Sequence, residues 1–179
     1  MVRNSRGFTL IELLLVVAII GILMSLAMAN YHYARLQAAE TSAITSLNAI
    51  NQAQISYMHS CGNQKFAPSL TALGKPSPGT DTAFLSPDLT GADEILKSGY
   101  RIAMKATEVT VPLLACTGDT PADAYQVTAD PVTPGVTGHL FFGTNRDLIV
   151  YENAAETFVG RMPDDGPPPD GQETRGIVR

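Results

Sequence analysis

The sequence predicts an α+β protein: one long N-terminal α-helix, a small antiparallel β-sheet, and a disordered, proline-rich C-terminal tail. Three observations carry this. The run Leu13 to Ala29 is apolar all round, and neither proline nor glycine interrupts the chain from Asn30 to Ser60. Between Tyr100 and Tyr151 the hydrophobic period shifts from that of a helix to that of strands. From Glu152 onward Pro163, Pro167, Pro168 and Pro169 are mixed with Asp164, Asp165 and Asp170, a composition that cannot bury a core.

The helix is expected to start near Phe8. In its second half Leu36, Ala43, Leu47, Ile50 and Met58 fall on one face at a 3.6-residue period, flanked by Ile44 and Ile55. Arg35, Gln37, Ser42, Thr45 and Gln52 occupy the opposite side. A helix from Phe8 to Met58 would be about 75 Å long at 1.5 Å per residue. That exceeds a small globule, so its first half must be covered by lipid or by other subunits. Cys61-Gly62 suggests the stop, with glycine as the C-terminal cap.

Lys65 to Ser98 reads as an irregular connection, punctuated by Pro68, Pro76, Pro78 and Pro87 with Gly74, Gly79 and Gly91. Ser69 to Leu73 suggests one helical turn. Tyr100, Ile102 and Met104 alternate with Arg101, Ala103 and Lys105, the pattern of a half-buried strand. Tyr125 to Ala129 alternates likewise. Gly138 to Phe142 and Asp147 to Tyr151 are short apolar strands, with Gly143 to Arg146 expected as the hairpin turn between them. Three or four strands suffice to cover one face of a helix. In the tail, only Ile177-Val178 is apolar beyond Met162, so truncation after Arg161 is expected to leave folding unchanged.

The most informative segment is Arg6-Gly7-Phe8-Thr9-Leu10-Ile11-Glu12. It places a carboxylate inside a hydrophobic run, where a charge is costly and reads as functional. A basic leader, Met1 to Gly7, precedes it with Arg3 and Arg6 and no acid. Over about the first thirty residues the chain resembles the type IV prepilin signal. The resemblance implies cleavage after Gly7 by a membrane-embedded prepilin peptidase, and methylation of the new N-terminus, Phe8. It also implies that Glu12 pairs with the Phe8 ammonium of a neighbouring subunit during assembly. In a low-dielectric core two such opposite charges offset each other, whereas either alone would be expensive. Gly21 matches the family's glycine. Ala29 stands where relatives often carry proline, which removes the strongest helix breaker from this region.

Two plainer readings compete. Met1 to Ala29 could be an ordinary secretory signal, with Ala27-Met28-Ala29 as the cleavage site. Leu13 to Ala29 could instead be a simple anchor, at the short end of the roughly 17–25 residues needed to span. The acid in the apolar region argues against the first. Long helix, variable connection and small sheet together are similar to the pilin fold. The phrases Ser98-Gly99-Tyr100, Ala124-Tyr125 and Pro134 to Gly138 resemble pilins far less specifically. The expected segments are a leader, 1–7; a long helix, 8–60, whose 8–29 part is the transmembrane and filament-core region and whose 30–60 part is amphipathic; a globular head, 61–151; and a tail, 152–179.

The chain of 179 residues has net charge −5. Without Arg3 and Arg6 ten basic side chains face seventeen acidic ones, about −7, which disfavours direct nucleic-acid binding through a basic face. In an exported protein the pair Cys61 and Cys116 reads as a disulfide, the alternative being two buried thiols. His59, His32 and His139 lack zinc-ligand spacing. Asp88 with Asp93 and Glu94, and Asp119 with Asp123, lack the spacing of a calcium loop and read as solvated charge. Tyr31, Tyr33 and Tyr57 suit an interfacial belt or ordinary packing. No Walker loop, G-x-G-x-x-G, G-x-S-x-G or H-E-x-x-H is present. Hence no catalytic residue, metal or cofactor is assigned.

The expectation is a structural subunit and not an enzyme. It waits as a single-pass inner-membrane protein and polymerises with copies of itself into a surface type IV pilus. Its partners would be the prepilin peptidase, the pilus assembly platform, minor pilins and the inner membrane. Adhesion, twitching motility or DNA uptake would belong to the whole fibre. A type II secretion pseudopilin is the near alternative. A secreted or anchored binding domain using only the 60–151 globule is the alternative from another class.

Overall fold

A computed structural model describes residues 7–79, 81–108 and 113–174. Most of the leader, including Arg3 and Arg6, and the tail end with Ile177-Val178 lie outside the described residues, as do the side chains of 26–29. The chain divides into two units, Met1–Arg35 and Leu36–Arg179. One long helix, α1 (Leu10–Ser60), contributes to both.

The first unit is helical from Leu10, and its large apolar side chains are open. From Phe8 to Met24 they are between 45% and 80% exposed. No single helix among the described residues is long and apolar enough to cross a membrane. Leu10–Ser25 and Asn30–Ser60 pass that test only as a pair, on length and composition.

In the second unit the rest of α1 lies against a sheet. Ala43, Leu47, Ile50, Ala53 and Tyr57 are buried and form one core cluster with Tyr100, Ile102, Tyr125, Val127 and Phe142. The flanking Ile44 and Ile55 are half-buried and Arg35, Gln37, Thr45 and Gln52 are exposed, as the periodicity predicts, but Leu36 and Met58 of the apolar face are only half-buried and so is Ser42 of the opposite side. The buried face also contains Glu40, Ser46, Asn51 and Gln54, polar residues that the apolar pattern does not mark.

The helix ends where expected but by a different device. Gly62 does not adopt a left-handed conformation; Asn63 (φ 51°) and Gln64 (φ 66°) do. The Gly62 amide donates to Tyr57 O (2.8 Å) and the Gln64 amide to Met58 O (3.1 Å), so the last carbonyls are satisfied. Glycine is needed at 62 for space: a Cβ there would lie 2.1 Å from Lys65 O and 2.9 Å from the Tyr57 ring.

The connection contains α2 (Leu70–Leu73), capped by Ser69, whose hydroxyl accepts from the Ala72 amide at 3.1 Å. A 3-10 turn follows at Pro87–Leu89. Six strands then form one sheet in sequence order: β1 (Glu94–Lys97), β2 (Tyr100–Glu108), β3 (Ala122–Pro131), β4 (Phe141–Asn145), β5 (Val150–Asn153) and β6 (Gln172–Glu173). Every neighbouring pair is antiparallel. This is the pilin fold, α+β with a long N-terminal helix and an antiparallel sheet.

Three expectations need correction. First, β1 lies inside the segment read as irregular. It pairs with β2 through a two-residue turn in which Ser98 (φ 51°) and Gly99 (φ 82°) are both left-handed, the conformation such hairpins require. Second, Gly143 is not in a turn but mid-strand, opposite Tyr151. The turn comes later, where the Leu148 amide (φ 66°) donates to Asn145 O at 3.0 Å.

Third, residues 154–174 are an ordered strap over the outer face of the sheet. Phe158 and Met162 are buried in a cluster with Tyr151. Buried Asn145 donates its amide to Pro163 O (3.1 Å) and Gly166 O (2.8 Å). Gln126 Nε2 and Thr107 Oγ1 each donate to Asp164 Oδ1 at 2.8 Å, and Arg146 pairs with Asp165 at 2.6 Å. The entropy argument for a disordered tail began at Met162. It therefore left out Phe158 and counted none of the main-chain carbonyls that satisfy Asn145. The prolines also lower the entropy that ordering removes.

Candidate assembly site

Residues 7–12 give the site its chemistry. Thr9 is the N-cap of α1 and Glu12 its third helical residue. Thr9 Oγ1 accepts from the Glu12 amide at 3.4 Å, while Glu12 Oε2 accepts from the Thr9 amide at 3.5 Å and from the Thr9 hydroxyl at 3.3 Å. This reciprocal arrangement is a capping box, which satisfies two of the donors that a helix start leaves open. It also sets the carboxylate at the positive end of the helix dipole. The bonds are long, and among the described residues both of those that reach the carboxylate fall on Oε2. Among the described residues Glu12 makes no ion pair. Phe8, immediately before the cap, is 80% exposed. The structure thus shows Glu12 held at a helix start beside the residue expected as its partner's counterpart. The Thr-x-x-Glu spacing in Thr9 to Glu12 signals this box, an intrachain role for Glu12 beside the expected pairing with a neighbour's Phe8.

The head is locked to α1 by polar anchors that the sequence reading did not assign. Asn51 Nδ2 donates to Thr144 Oγ1 (2.9 Å) and Leu148 O (3.1 Å), and the Tyr125 hydroxyl donates to Asn51 Oδ1 (2.9 Å). Gln54 exchanges two bonds with the Ala67 backbone, accepting from its amide at 2.8 Å and donating to its carbonyl at 3.2 Å. The buried Glu40 carboxylate accepts from the His139 amide at 2.8 Å. Burial raises the Tyr125 phenol well above its ordinary pKa, with the charge of Asp147 adding to it. Burial likewise raises Glu152, helped by the negative charge of Glu40. A single polar residue on an apolar face carries no sequence signal of its partner, which lies about ninety positions away for Asn51.

Cys61 and Cys116 form a disulfide with Cα atoms 4.8 Å apart, and the Cys116 amide donates to Cys61 O at 3.0 Å. The bridge fastens the end of α1 to the loop between β2 and β3. The paired acids of the loops are engaged elsewhere: Asp88 with Lys97 (2.7 Å), Glu94 with Arg101 (3.4 Å), Asp119 with Lys75 (2.5 Å) and Asp123 with Lys65. Asp93 accepts from the Thr71 amide and hydroxyl. Among the described residues no group of three or more His, Cys, Asp or Glu side chains could hold a metal. Tyr57 is fully buried, edge-on to Phe84 at 5.3 Å, so it is a core residue; Tyr31 and Tyr33 are exposed.

Comparison with known proteins bears on the same N-terminal residues. Residues 2–28 match the model of the prokaryotic N-terminal methylation motif. The chain is 47% identical over 54 residues to the type IV major pilin protein PilA of Myxococcus xanthus. It is also 38% identical over 71 residues to the type IV wide pilus major component PilA4 of Thermus thermophilus. These stretches cover 30% and 40% of this chain, and 24% and 53% of the two relatives. The chain spans only part of the length of these relatives, and its likeness to type IV pilins rests on these partial matches. No solved structure matches the chain. The stretch that matches the methylation-motif model, 2–28, contains the capping box and the exposed apolar helix.

Proposed function

We propose that this chain is a pilin, the structural subunit of a type IV pilus on the cell surface. It is held in the inner membrane by its N-terminal helix, cut after Gly7 by a prepilin peptidase and methylated at Phe8. It then polymerises through that helix with the help of an assembly platform and minor pilins. The observation that carries this is the combination of a capped Glu12 with an apolar helix exposed from Phe8 to Met24. Such a surface is unstable in water, and at roughly 25 cal/mol per Å2 its burial supplies the driving force for polymerisation. Glu12 supplies the register. The ammonium of a neighbour's Phe8 meets its carboxylate, and the two charges enter the filament core as a pair. No step requires catalysis by this chain.

The test is Glu12→Ala in cells that lack the wild-type subunit. Insertion and cleavage are expected to persist, because the segment becomes more apolar. Fibres seen by electron microscopy should be lost, because the incoming ammonium has no counter-charge. Normal fibres built from the variant alone would refute the pairing.

A further inference from the structure

The two sulfurs of the bridge stand in different surroundings. Cys61 is 5% exposed and belongs to the main core cluster, with its amide donating to Tyr57 O at 2.9 Å in the last turn of α1. Cys116 is exposed, on a loop that bonds largely to itself: the Ala115 amide donates to Asp119 O (2.8 Å) and the Gly118 amide to Ala115 O (3.0 Å). A cavity of about 570 Å3 opens beside the pair, lined by both cysteines and by His59, Asn63, Gln64 and Leu114. Pockets of about 300–1,000 Å3 suit small organic molecules, so the volume fits a ligand of tripeptide size. None of the described residues that line it is acidic. Asp119, on the same loop as Cys116, is paired with Lys75 at 2.5 Å. An anionic nucleophile therefore meets no repelling carboxylate in the cavity wall.

We propose that this cavity is a thiol-exchange site, at which a small thiol of tripeptide size attacks Cys116 and not Cys61. Exchange requires a thiolate to reach a sulfur, so access selects the one attacked. The thiolate bonds to Cys116 Sγ, the bond between the two cysteine sulfurs breaks, and its electron pair leaves on Cys61 Sγ. That sulfur takes up the proton that the incoming thiol gave up. Burial and the negative end of the helix disfavour a thiolate at Cys61, which slows the step. Access outweighs this, because attack at Cys61 would first require the end of α1 to lift from the core. Cys61 and His59 share the cavity wall, so the proton reaches the leaving sulfur through the same opening. The product is a mixed disulfide at Cys116 and a shielded thiol at Cys61, and the end of α1 is no longer covalently tied to the β2–β3 loop. The backbone makes the step reversible. The Cys116 amide donates to Cys61 O at 3.0 Å and Asn63 Nδ2 to Leu114 O at 3.2 Å, which keeps the loop beside the helix end. Held there, the Cys61 thiol closes the bridge again by attacking Cys116 and expelling the small thiol.

The experiment uses the full wild-type chain in detergent, with glutathione as the probe. After a brief incubation acid stops the exchange, free thiols are alkylated in denaturant, and mass spectrometry maps the adduct. Glutathione on Cys116 should exceed glutathione on Cys61 by about tenfold or more, since only one sulfur is open to attack. Protein unfolded in urea before the probe is added should give the two adducts in comparable amounts. Diluting the probe should release glutathione and restore the bridge. Comparable adducts on the folded protein, or an excess on Cys61, would overturn the assignment. So would a bridge that glutathione opens only in urea, or an adduct that persists after dilution. Leu114→Trp, at a position 68% exposed on the cavity wall, should slow the reaction of the folded protein several-fold and leave that of the unfolded protein unchanged. Equal rates for the folded variant and the folded wild type would overturn the cavity as the route.

Discussion

Replacing Phe158 by alanine isolates what holds the strap to the sheet. Phe158 is 1% exposed and forms a small cluster with Tyr151 and Met162, separate from the main core. It lies over Gly143, where an added Cβ would be 3.0 Å from the Phe158 ring and 3.0 Å from Met162 Sδ. Truncating a buried Phe to Ala costs about 3–5 kcal/mol. The cluster lies near the surface and can partly collapse, so the lower end applies. About 3 kcal/mol corresponds to a roughly hundredfold rise in the open population of the strap. The assay is amide hydrogen exchange on the full chain, read by mass spectrometry. The Met162 amide, bonded to Phe158 O at 3.0 Å, and the Thr174 amide, bonded to Val150 O at 2.9 Å, should lose protection together. The β2–β3 amides should not change, because strap opening is local. Unchanged exchange across 158–174, or equal loss in β2 and β3, would refute the separation of strap from core.

Three further expectations follow from particular residues. Gly62→Ala should lower the melting temperature sharply and impair disulfide formation, because its Cβ meets the Lys65 carbonyl and the Tyr57 ring; a melting curve like the wild type would refute the steric reading. Breaking the Cys61–Cys116 bridge, with a sequence separation of 55, should cost about 4 kcal/mol by chain entropy, measured by denaturant unfolding with and without reductant. Burial raises the Asp130 carboxyl above its ordinary pKa, against the opposing pull of the Thr157 hydroxyl and Arg101. A raised folded-state pKa means that the stability it contributes is full below the ordinary carboxylate pKa and is lost as pH rises through the raised value. Asp130→Asn should therefore raise the melting temperature at neutral pH and leave it unchanged in acid; parallel pH profiles would contradict this.

The long helix was legible because its apolar residues recur at one period for many turns. Strands β2 and β3 were legible because Tyr100–Met104 and Tyr125–Ala129 alternate cleanly. Strand β1 was not, since Glu94-Ile95-Leu96-Lys97 is too short to alternate and sits among turn residues. Gly143 misled because glycine signals a turn, whereas here it makes room for Phe158 and Met162. The true turn uses Leu148 in a left-handed conformation, which no propensity anticipates. The strap was hidden by composition: its order depends on two apolar side chains and on backbone carbonyls that meet Asn145, and carbonyls carry no residue-type signal. At the N-terminus the charge in an apolar run pointed to Glu12. The capping by Thr9 was also written in the spacing, and it explains how the carboxylate is held before any neighbour arrives.

The central claim is that the chain is processed at Gly7-Phe8 and that its processed form builds the filament. Mass spectrometry of the N-terminal peptide from sheared surface fibres tests this most directly. The account predicts a peptide that begins at N-methylated Phe8. A peptide that begins at Asn30, or fibres that lack this chain altogether, would contradict it.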